Sequence, residues 1–262
     1  MRDVLVVPLV LLITLLSFPR DGCTDSPNVY GLPKKARILE TRLLAKQGYG
    51  ERLLILWMLN PQKHPRSDDD NEPYTCPDET RGSYWSGPVR VTLFDTRKRQ
   101  VINTINIRTE WYDEEPDSLD LPYRIHAGSY YHVPNTPKGK EGRPLLMWLR
   151  DYNGDGRALE FALFDAQACM GLPTTLIGYS PKRDRVIQYP IKLVEQSDDG
   201  PPRQTLAPWC DYLFSEPLRS PGFWDYSIDY RGRGGSLRHY VIRYDPKEEI
   251  FRGTLKIKNS DD

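Results

Sequence analysis

The sequence has no surplus of charge, no segment with sustained helical periodicity and none of the common catalytic signatures. Lys+Arg and Asp+Glu stand at 36 each in 262 residues. A general nucleic-acid binder presents a basic surface, so this balance argues against nucleic acid as the partner while leaving room for a local patch. Only four cysteines occur, Cys23, Cys76, Cys169 and Cys210, and none shows C-x-x-C spacing, which argues against a zinc site. No G-x-S-x-G, H-E-x-x-H or G-x-x-x-x-G-K-[ST] is present, so the nucleophile elbow, the zinc-protease helix and the phosphate loop are all missing. What is abundant is 23 Pro, 19 Gly, 16 Tyr and 6 Trp, a composition that suits a turn-rich β protein better than a helical bundle.

The first apolar run, Val4–Phe18, is too short to span a bilayer comfortably as a helix but fits the core of a signal peptide. It follows Arg2 and precedes the polar stretch Pro19-Arg20-Asp21-Gly22. Residues 1–22 are therefore read as an export signal, which places the protein in an extracytoplasmic (secreted or periplasmic) setting where disulfides are permitted. Cys23 offers a second reading, a lipidated N-terminus, and only that reading brings a membrane in as partner. An uncleaved anchoring helix and a misassigned start codon are the plain alternatives. The expected bridge is Cys169–Cys210, with buried thiols as the alternative.

Strand signals dominate from residue 37 onward, and residues 30–258 read as one mainly antiparallel β domain. Arg37–Ala45 and Arg52–Asn60 flank a Gly-containing connection, the pattern of a hairpin with a five- or six-residue loop. Leu53–Leu59 is almost wholly apolar and reads as a buried central strand. The Pro- and Asp-rich stretch 61–87, with its SDDDNE run, reads as a solvated connection rather than a second metal site. Asp165–Met170 has room for a turn of helix.

Three segments share one pattern: LFDTRKRQVINTINI at 93–107, IGYSPKRDRVIQYPI at 177–191 and IRYDPKEEIFRGTLKI at 242–257. Each has an aromatic residue, then Asp or Ser, then a polar run, then a return to β-favouring residues. This is the grammar of a strand, a turn opened by an Asp or Ser side chain, and a second strand. Upstream, RLLILWML at 52–59 matches RPLLMWLR at 143–150, Trp57 aligning with Trp148. FWDYSIDY at 223–230 and LRHYVIRY at 237–244 precede the third hairpin. Repeated sheet units suggest an irregular or incomplete β-propeller, with a β-sandwich of the same hairpins as the alternative.

The stretch that carries chemistry is Asp151-Tyr152-Asn153-Gly154-Asp155-Gly156-Arg157-Ala158-Leu159-Glu160. Calcium takes six to eight oxygen ligands. Asp151, Asn153 and Asp155 supply side-chain oxygens at alternate positions, Gly156 permits the turn, the Arg157 carbonyl offers a backbone oxygen, and Glu160 closes the set. The expectation is one structural Ca2+. The alternative is an Asn-Gly/Asp-Gly turn whose side chains cap backbone N–H groups without a metal. The first six residues resemble an EF-hand loop, but its closing position holds Ala162 and the flanks read as strands. The D-x-N-G-D-G run better resembles the calcium loop of integrin-type (FG-GAP or VCBS-like) propeller repeats. In those repeats the last acidic residue follows the second Gly by three positions, whereas Glu160 follows by four. The resemblance implies a calcium site between strands.

Other clusters have ordinary readings. His126 and His132 are read as surface or core histidines rather than metal ligands, and the Asp113-Glu114-Glu115/Asp117 run as a solvated loop rather than a glycosidase pair. Trp111, Tyr112, Tyr130, Tyr131, Trp209, Tyr212, Trp224 and Tyr226 are read as sheet packing, with a sugar- or peptide-stacking site as the functional alternative. Arg231–Arg233 reads as a solvated hairpin loop. The functional reading is an exported, non-enzymatic binding or interaction protein with a structural calcium and an unknown protein or glycan ligand. A secreted hydrolase acting on glycans and a purely structural envelope component are its alternatives. A binding protein predicts an aromatic groove without a carboxylate pair or a nucleophile–base pair, a hydrolase predicts carboxylates or a His converging in it, and an envelope component predicts no sizeable groove.

Overall fold

The computed structural model describes residues 27–47, 50–64, 84–108, 118–121, 145–165, 171–198 and 200–259. Residues 1–22, Cys23, Cys76, Cys169, the SDDDNE run, residues 109–117, His126, His132, Tyr130, Tyr131 and residues 166–170 lie outside that set. The expectations attached to them are not addressed by the structure. The described chain is all-β. Its only helical pieces are single 3-10 turns at Pro27–Tyr30 and Arg231–Arg233.

The first sheet runs β1 (Ala36–Gln47), β2 (Gly50–Leu59), β5 (Val89–Asp95) and β6 (Gln100–Asn106), antiparallel throughout. The β1–β2 strands continue to Gln47 and from Gly50, which pair with one another. The connection is therefore shorter than expected, because the polar ends of both strands still satisfy each other's backbone groups. β2 is the central strand foreseen, with Leu54–Met58 buried in succession. A small sheet of β3 (Gln62–His64), β4 (Tyr84–Gly87) and β7 (Leu119–Leu121) stands beside it.

The middle sheet centres on β9 (Pro173–Ser180), with β8 (Glu160–Phe164) on one side and β10 (Arg185–Gln188) and β13 (Trp209–Asp211) end to end on the other. All eight residues of β9 are buried. The cause is its place between two cores. Phe161, Leu163, Ile177 and Tyr179 pack with Leu54, Leu56, Val91 and Leu93 of the first sheet. Ala162 and Leu176 pack with Trp224, Tyr240, Ile242 and Phe251 on the far side. Those belong to a five-stranded sheet ordered β12 (Arg203–Ala207), β11 (Ile191–Ser197), β16 (Ile250–Lys258), β15 (Leu237–Asp245) and β14 (Phe223–Asp229). The β11–β16 pair is parallel, a departure from the antiparallel pattern expected.

The three look-alike segments are all antiparallel hairpins in one register. Phe94 faces Val101, Tyr179 faces Val186 and Tyr244 faces Phe251, and four residues turn the chain each time. In each the last turn residue is left-handed and is not glycine: Arg99 (φ 54°), Asp184 (φ 47°) and Glu249 (φ 55°). Asp95 Oδ1 accepts the Lys98 N–H at 2.9 Å, Ser180 Oγ accepts the Arg183 N–H at 3.2 Å and Asp245 Oδ1 accepts the Lys247 N–H at 2.9 Å. This is why Asp or Ser opens each turn. The expected strand at 143–150 is not formed: within the described residues 145–150 only Arg150 makes a β-bridge, to Glu160. Leu146 and Met147 instead give their N–H groups to the Glu40 carboxylate at 2.8 and 3.1 Å, so a side chain takes the place of a neighbouring strand.

Arg52 ties the first two sheets together. Its Nη1 lies 2.9 Å from Asp95 Oδ2, while Nε and Nη2 grip Asp184 at 2.9 and 2.8 Å. The guanidinium beside Asp184 holds that carboxyl below its ordinary value; Asp95 is held down chiefly by the Lys98 N–H, with Arg52 adding to it. Removing one partner of a buried pair strands the other, at a cost of about 3–5 kcal/mol. Arg52→Leu is expected to lower unfolding free energy by about 3 kcal/mol, nearer the lower end because Asp184 is partly solvated. Urea titration at neutral pH measures it, and a loss below about 1 kcal/mol would contradict the role assigned to this pair.

Candidate functional site

The Arg150–Glu160 bridge closes the base of the Asp151–Glu160 loop: the Arg150 N–H donates to the Glu160 carbonyl at 2.8 Å and the return bond is 3.2 Å. Above that base the acidic side chains fold inward on the loop's own amides. Asp151 Oδ1 accepts N–H bonds from Gly154 (2.7 Å) and Asp155 (3.1 Å), and Oδ2 accepts one from Gly156 (2.9 Å). Asn153 Oδ1 accepts the same Asp155 N–H at 2.9 Å. Asp155 Oδ1 accepts the Arg157 N–H at 2.9 Å, and its Oδ2 pairs with the Arg157 guanidinium at 2.6 Å. Gly154 and Gly156 take left-handed φ of 80° and 83°, which turns successive N–H groups toward the carboxylates. The Arg157 carbonyl, expected as a backbone ligand, accepts the Leu159 N–H at 3.0 Å.

Glu160 sits beneath this arrangement and is fully buried. Its Oε2 accepts the Tyr152 N–H at 3.1 Å and its Oε1 accepts the Asn153 side-chain N–H at 2.9 Å. The absence of a side chain on Gly178 makes the space, since a Cβ there would stand 2.7 Å from Glu160 Cγ. Loss of hydration on burial is the main force raising the Glu160 carboxyl to about 8; the Tyr152 N–H opposes it, and the negative charges of Asp155 and Asp151 reinforce it.

Of the residues expected to share one cation, the structure thus brings Asp151 and Asn153 to a single amide, turns Asp155 toward Arg157, and sets Glu160 behind Asn153. Among the described residues no group of three or more His, Cys, Asp or Glu side chains forms a metal cluster. The loop leans on the third sheet: a Cβ on Gly222 would lie 2.6 Å from the Asn153 carbonyl. Tyr152 belongs to the core between the middle and five-stranded sheets and meets Phe214 edge-on at 5.9 Å.

Beside the loop lies a small, partly open cleft of about 20 Å³, lined by Trp148, Arg150, Tyr152, Phe164 and Phe214 with Leu145, Leu146 and Ala162. The Arg150 guanidinium lies 4.7 Å from the Trp148 ring and 5.3 Å from the Tyr152 ring. Composition alone hides this cleft. It depends on residues 145–150 leaving the sheet, and nothing local to those residues signals that.

The aromatics singled out within the described residues pack the interior. Trp209, Trp224 and Tyr226 are buried, and Tyr226 stacks on Tyr240 at 4.8 Å. Cys210 is buried, its sulfur 3.7 Å from the Tyr226 hydroxyl; Cys169, the bridge partner expected for it, lies outside the described residues. Arg231 is paired with Asp229 at 2.7 Å. No family model, curated protein or solved structure significantly matches the chain.

The raised Glu160 carboxyl fixes the sign of a pH effect. Below about pH 4.5 it is protonated in both folded and unfolded chains; between about 4.5 and 8 the unfolded chain releases its proton while the folded one retains it. Stability contributed by this group is therefore full at low pH and falls as pH rises through that window, by on the order of 4 kcal/mol. In chelator-containing buffer, urea unfolding from pH 5 to 8 is expected to show a decline that Glu160→Gln removes. Parallel curves for the two proteins would refute it.

Proposed function

We propose that the chain is an exported, non-enzymatic binding protein whose surface around the small cleft beside the Asp151–Glu160 loop meets a protein or glycan ligand. The observation that carries this reading is the lining of the cleft: four aromatic rings, one guanidinium, aliphatic side chains, and neither a carboxylate nor a nucleophile. Aromatic faces with one oriented polar group are the usual make-up of a recognition pocket. Glycoside hydrolysis would instead ask for two carboxylates flanking the bond. At about 20 Å³ the cleft has room for a water molecule rather than a ring, so a ligand would meet its rim, where Trp148 and Arg150 stand.

The calcium staple remains part of the proposal. Asp151, Asn153 and Asp155 are hard oxygen donors gathered in one closed loop, the donor chemistry calcium requires. Arg157 and Glu160 complete the proposed set through a carbonyl and a carboxylate. A cation bound only by the folded chain would stabilise it in proportion to the logarithm of its concentration above Kd. For the architecture, the stacked sheets with identically registered hairpins support blades of an incomplete or irregular propeller. The parallel β11–β16 pair departs from the antiparallel sheets of both a propeller blade and a β-sandwich.

Two measurements test the function. Calcium titrated into the chelated protein is expected to give saturable heat and a rise in Tm, both lost in Asp151→Ala/Asp155→Ala; no heat and no shift would remove the staple. Screened against glycans and extracellular proteins, wild type is expected to bind a ligand that Trp148→Ala binds at least about tenfold more weakly at unchanged Tm. Hydrolysis of a bound glycan would overturn the non-enzymatic reading.

A further inference from the structure

The outward face of the five-stranded sheet carries a charge pattern that the fold does not require. Strand pairing fixes which residues share a row. Across one row stand Phe223, Arg243, Arg252, Lys192 and Leu206. Three cations thus occupy adjacent strands, about 4.8 Å apart, an arrangement that costs stability because like charges directly opposite repel. On β16 the same face continues through Thr254 to the exposed Lys256 and Lys258, with successive outward residues about 6.8 Å apart.

Only part of this charge is compensated. Arg252 pairs with Asp245 at 3.1 Å and also with Glu248. Arg243 lies over the Phe223 ring at 4.4 Å, a contact that leaves its charge intact. Lys192, Lys256 and Lys258 form no ion pair among the described residues. The opposite face of the same strands holds Tyr240, Ile242, Phe251 and Leu255 in the core, so the cations project to the outside.

We infer that this face is a docking track for a linear acidic polysaccharide lying along β16. The shape and surroundings of the track decide among anions. β14 flanks it with Asp225 and Asp229, which an anionic lipid plane would have to approach and which a narrow chain following β16 avoids. β16 and β15 are paired on both sides, so an acidic peptide finds no free backbone edge to extend. The two rings described on the face are both engaged, Phe223 under Arg243 and the His239 imidazole by Ser227 at 2.9 Å and Asp225 at 3.6 Å, which leaves a poor platform for stacked bases. Thr254 between Arg252 and Lys256, with Gln196 and Gln204 on the neighbouring strands, offers hydrogen bonds suited to sugar hydroxyls, and the exposed Val194 and Leu206 beside them suit the apolar faces of sugar rings. This surface is separate from the aromatic cleft, and the inference does not rest on the function proposed for that cleft.

Polygalacturonate and heparin, with neutral dextran as control, are to be titrated into the full chain at several salt concentrations. Expected is saturable, salt-sensitive binding of the two polyanions and none of dextran. Lys256→Glu/Lys258→Glu should weaken it at least about tenfold and flatten the salt dependence. Lys34→Glu/Lys35→Glu, the same change in net charge at the turn before β1, should leave affinity within about twofold, and Trp148→Ala should do likewise. Circular dichroism and Tm confirm that each variant folds. No binding of either polyanion, or equal loss in both double variants, overturns the track. Tighter binding of phosphatidylglycerol vesicles, poly-L-glutamate or single-stranded DNA, abolished by Lys256→Glu/Lys258→Glu, overturns the polysaccharide as occupant.

Discussion

Arg52 is the hinge on which the arrangement of sheets depends. A guanidinium presents its donors in a fixed planar fork. Here one part of the fork meets Asp95, where the first hairpin turn begins, and the rest grips Asp184, the left-handed residue that ends the second. Tyr179 adds its hydroxyl to the same Asp184 oxygen at 2.9 Å. The third turn joins through Glu249, whose carboxylate accepts the Ser180 hydroxyl and pairs with Arg183 at 2.5 Å. In two of the three turns this position is therefore a junction rather than a solvated tip. At Asp184 and Glu249 the carboxylate is the junction; Arg99, at the first, leaves that role to Asp95.

Stacking three sheets leaves the middle one without a wet face, and its polar groups must find partners inside the protein. Thr174 Oγ1 donates to the Cys210 carbonyl at 2.8 Å and accepts the Phe214 N–H at 3.1 Å. Thr175 Oγ1 donates to the Pro208 carbonyl at 2.7 Å and accepts from Gln188 at 2.9 Å. The margin between the first and middle sheets is closed by side-chain amides that imitate a strand. Asn103 donates to the Val186 carbonyl at 2.9 Å and accepts its N–H at 3.0 Å, and Gln188 accepts the Arg108 N–H at 3.1 Å. β6 and β10 thus meet without backbone pairing, which stops the sheets from fusing into one.

What could be read from the sequence was local, and what could not was relational. The three hairpins were legible because turn chemistry acts within four residues: an Asp or Ser oxygen reaches the N–H groups just after it. β2 was legible because an unbroken apolar run has no wet face. β9 was less so, since the groups that satisfy Thr174, Thr175 and Ser180 (Cys210, Phe214, Pro208, Gln188 and Glu249) lie on other elements. The 145–150 segment looked like β2 in composition, yet the Glu40 carboxylate captures its amides from a distant strand. The parallel pairing of β11 with β16 joins residues too far apart for any pattern to announce. In the site, the loop's alternating oxygens and glycines were visible, but the depth of Glu160 was not, because it depends on the room that Gly178 leaves on the neighbouring strand.

Depth separates the acidic groups of this loop into two tasks. Asp151, near the surface, gathers three amides and sets the curvature of the loop. Glu160, inside, fixes Tyr152 by its N–H and Asn153 by its side chain. Tyr152 is then clamped from both ends, by that hydrogen bond and by its ring packed against Phe214. The same ring and its neighbour Arg150 form a wall of the aromatic cleft. A wall held by buried contacts loses little freedom when a ligand arrives, and a smaller entropic loss favours affinity. The acidic loop thereby orders Tyr152 and Arg150, and under the proposed binding function it would favour recognition without itself touching the ligand.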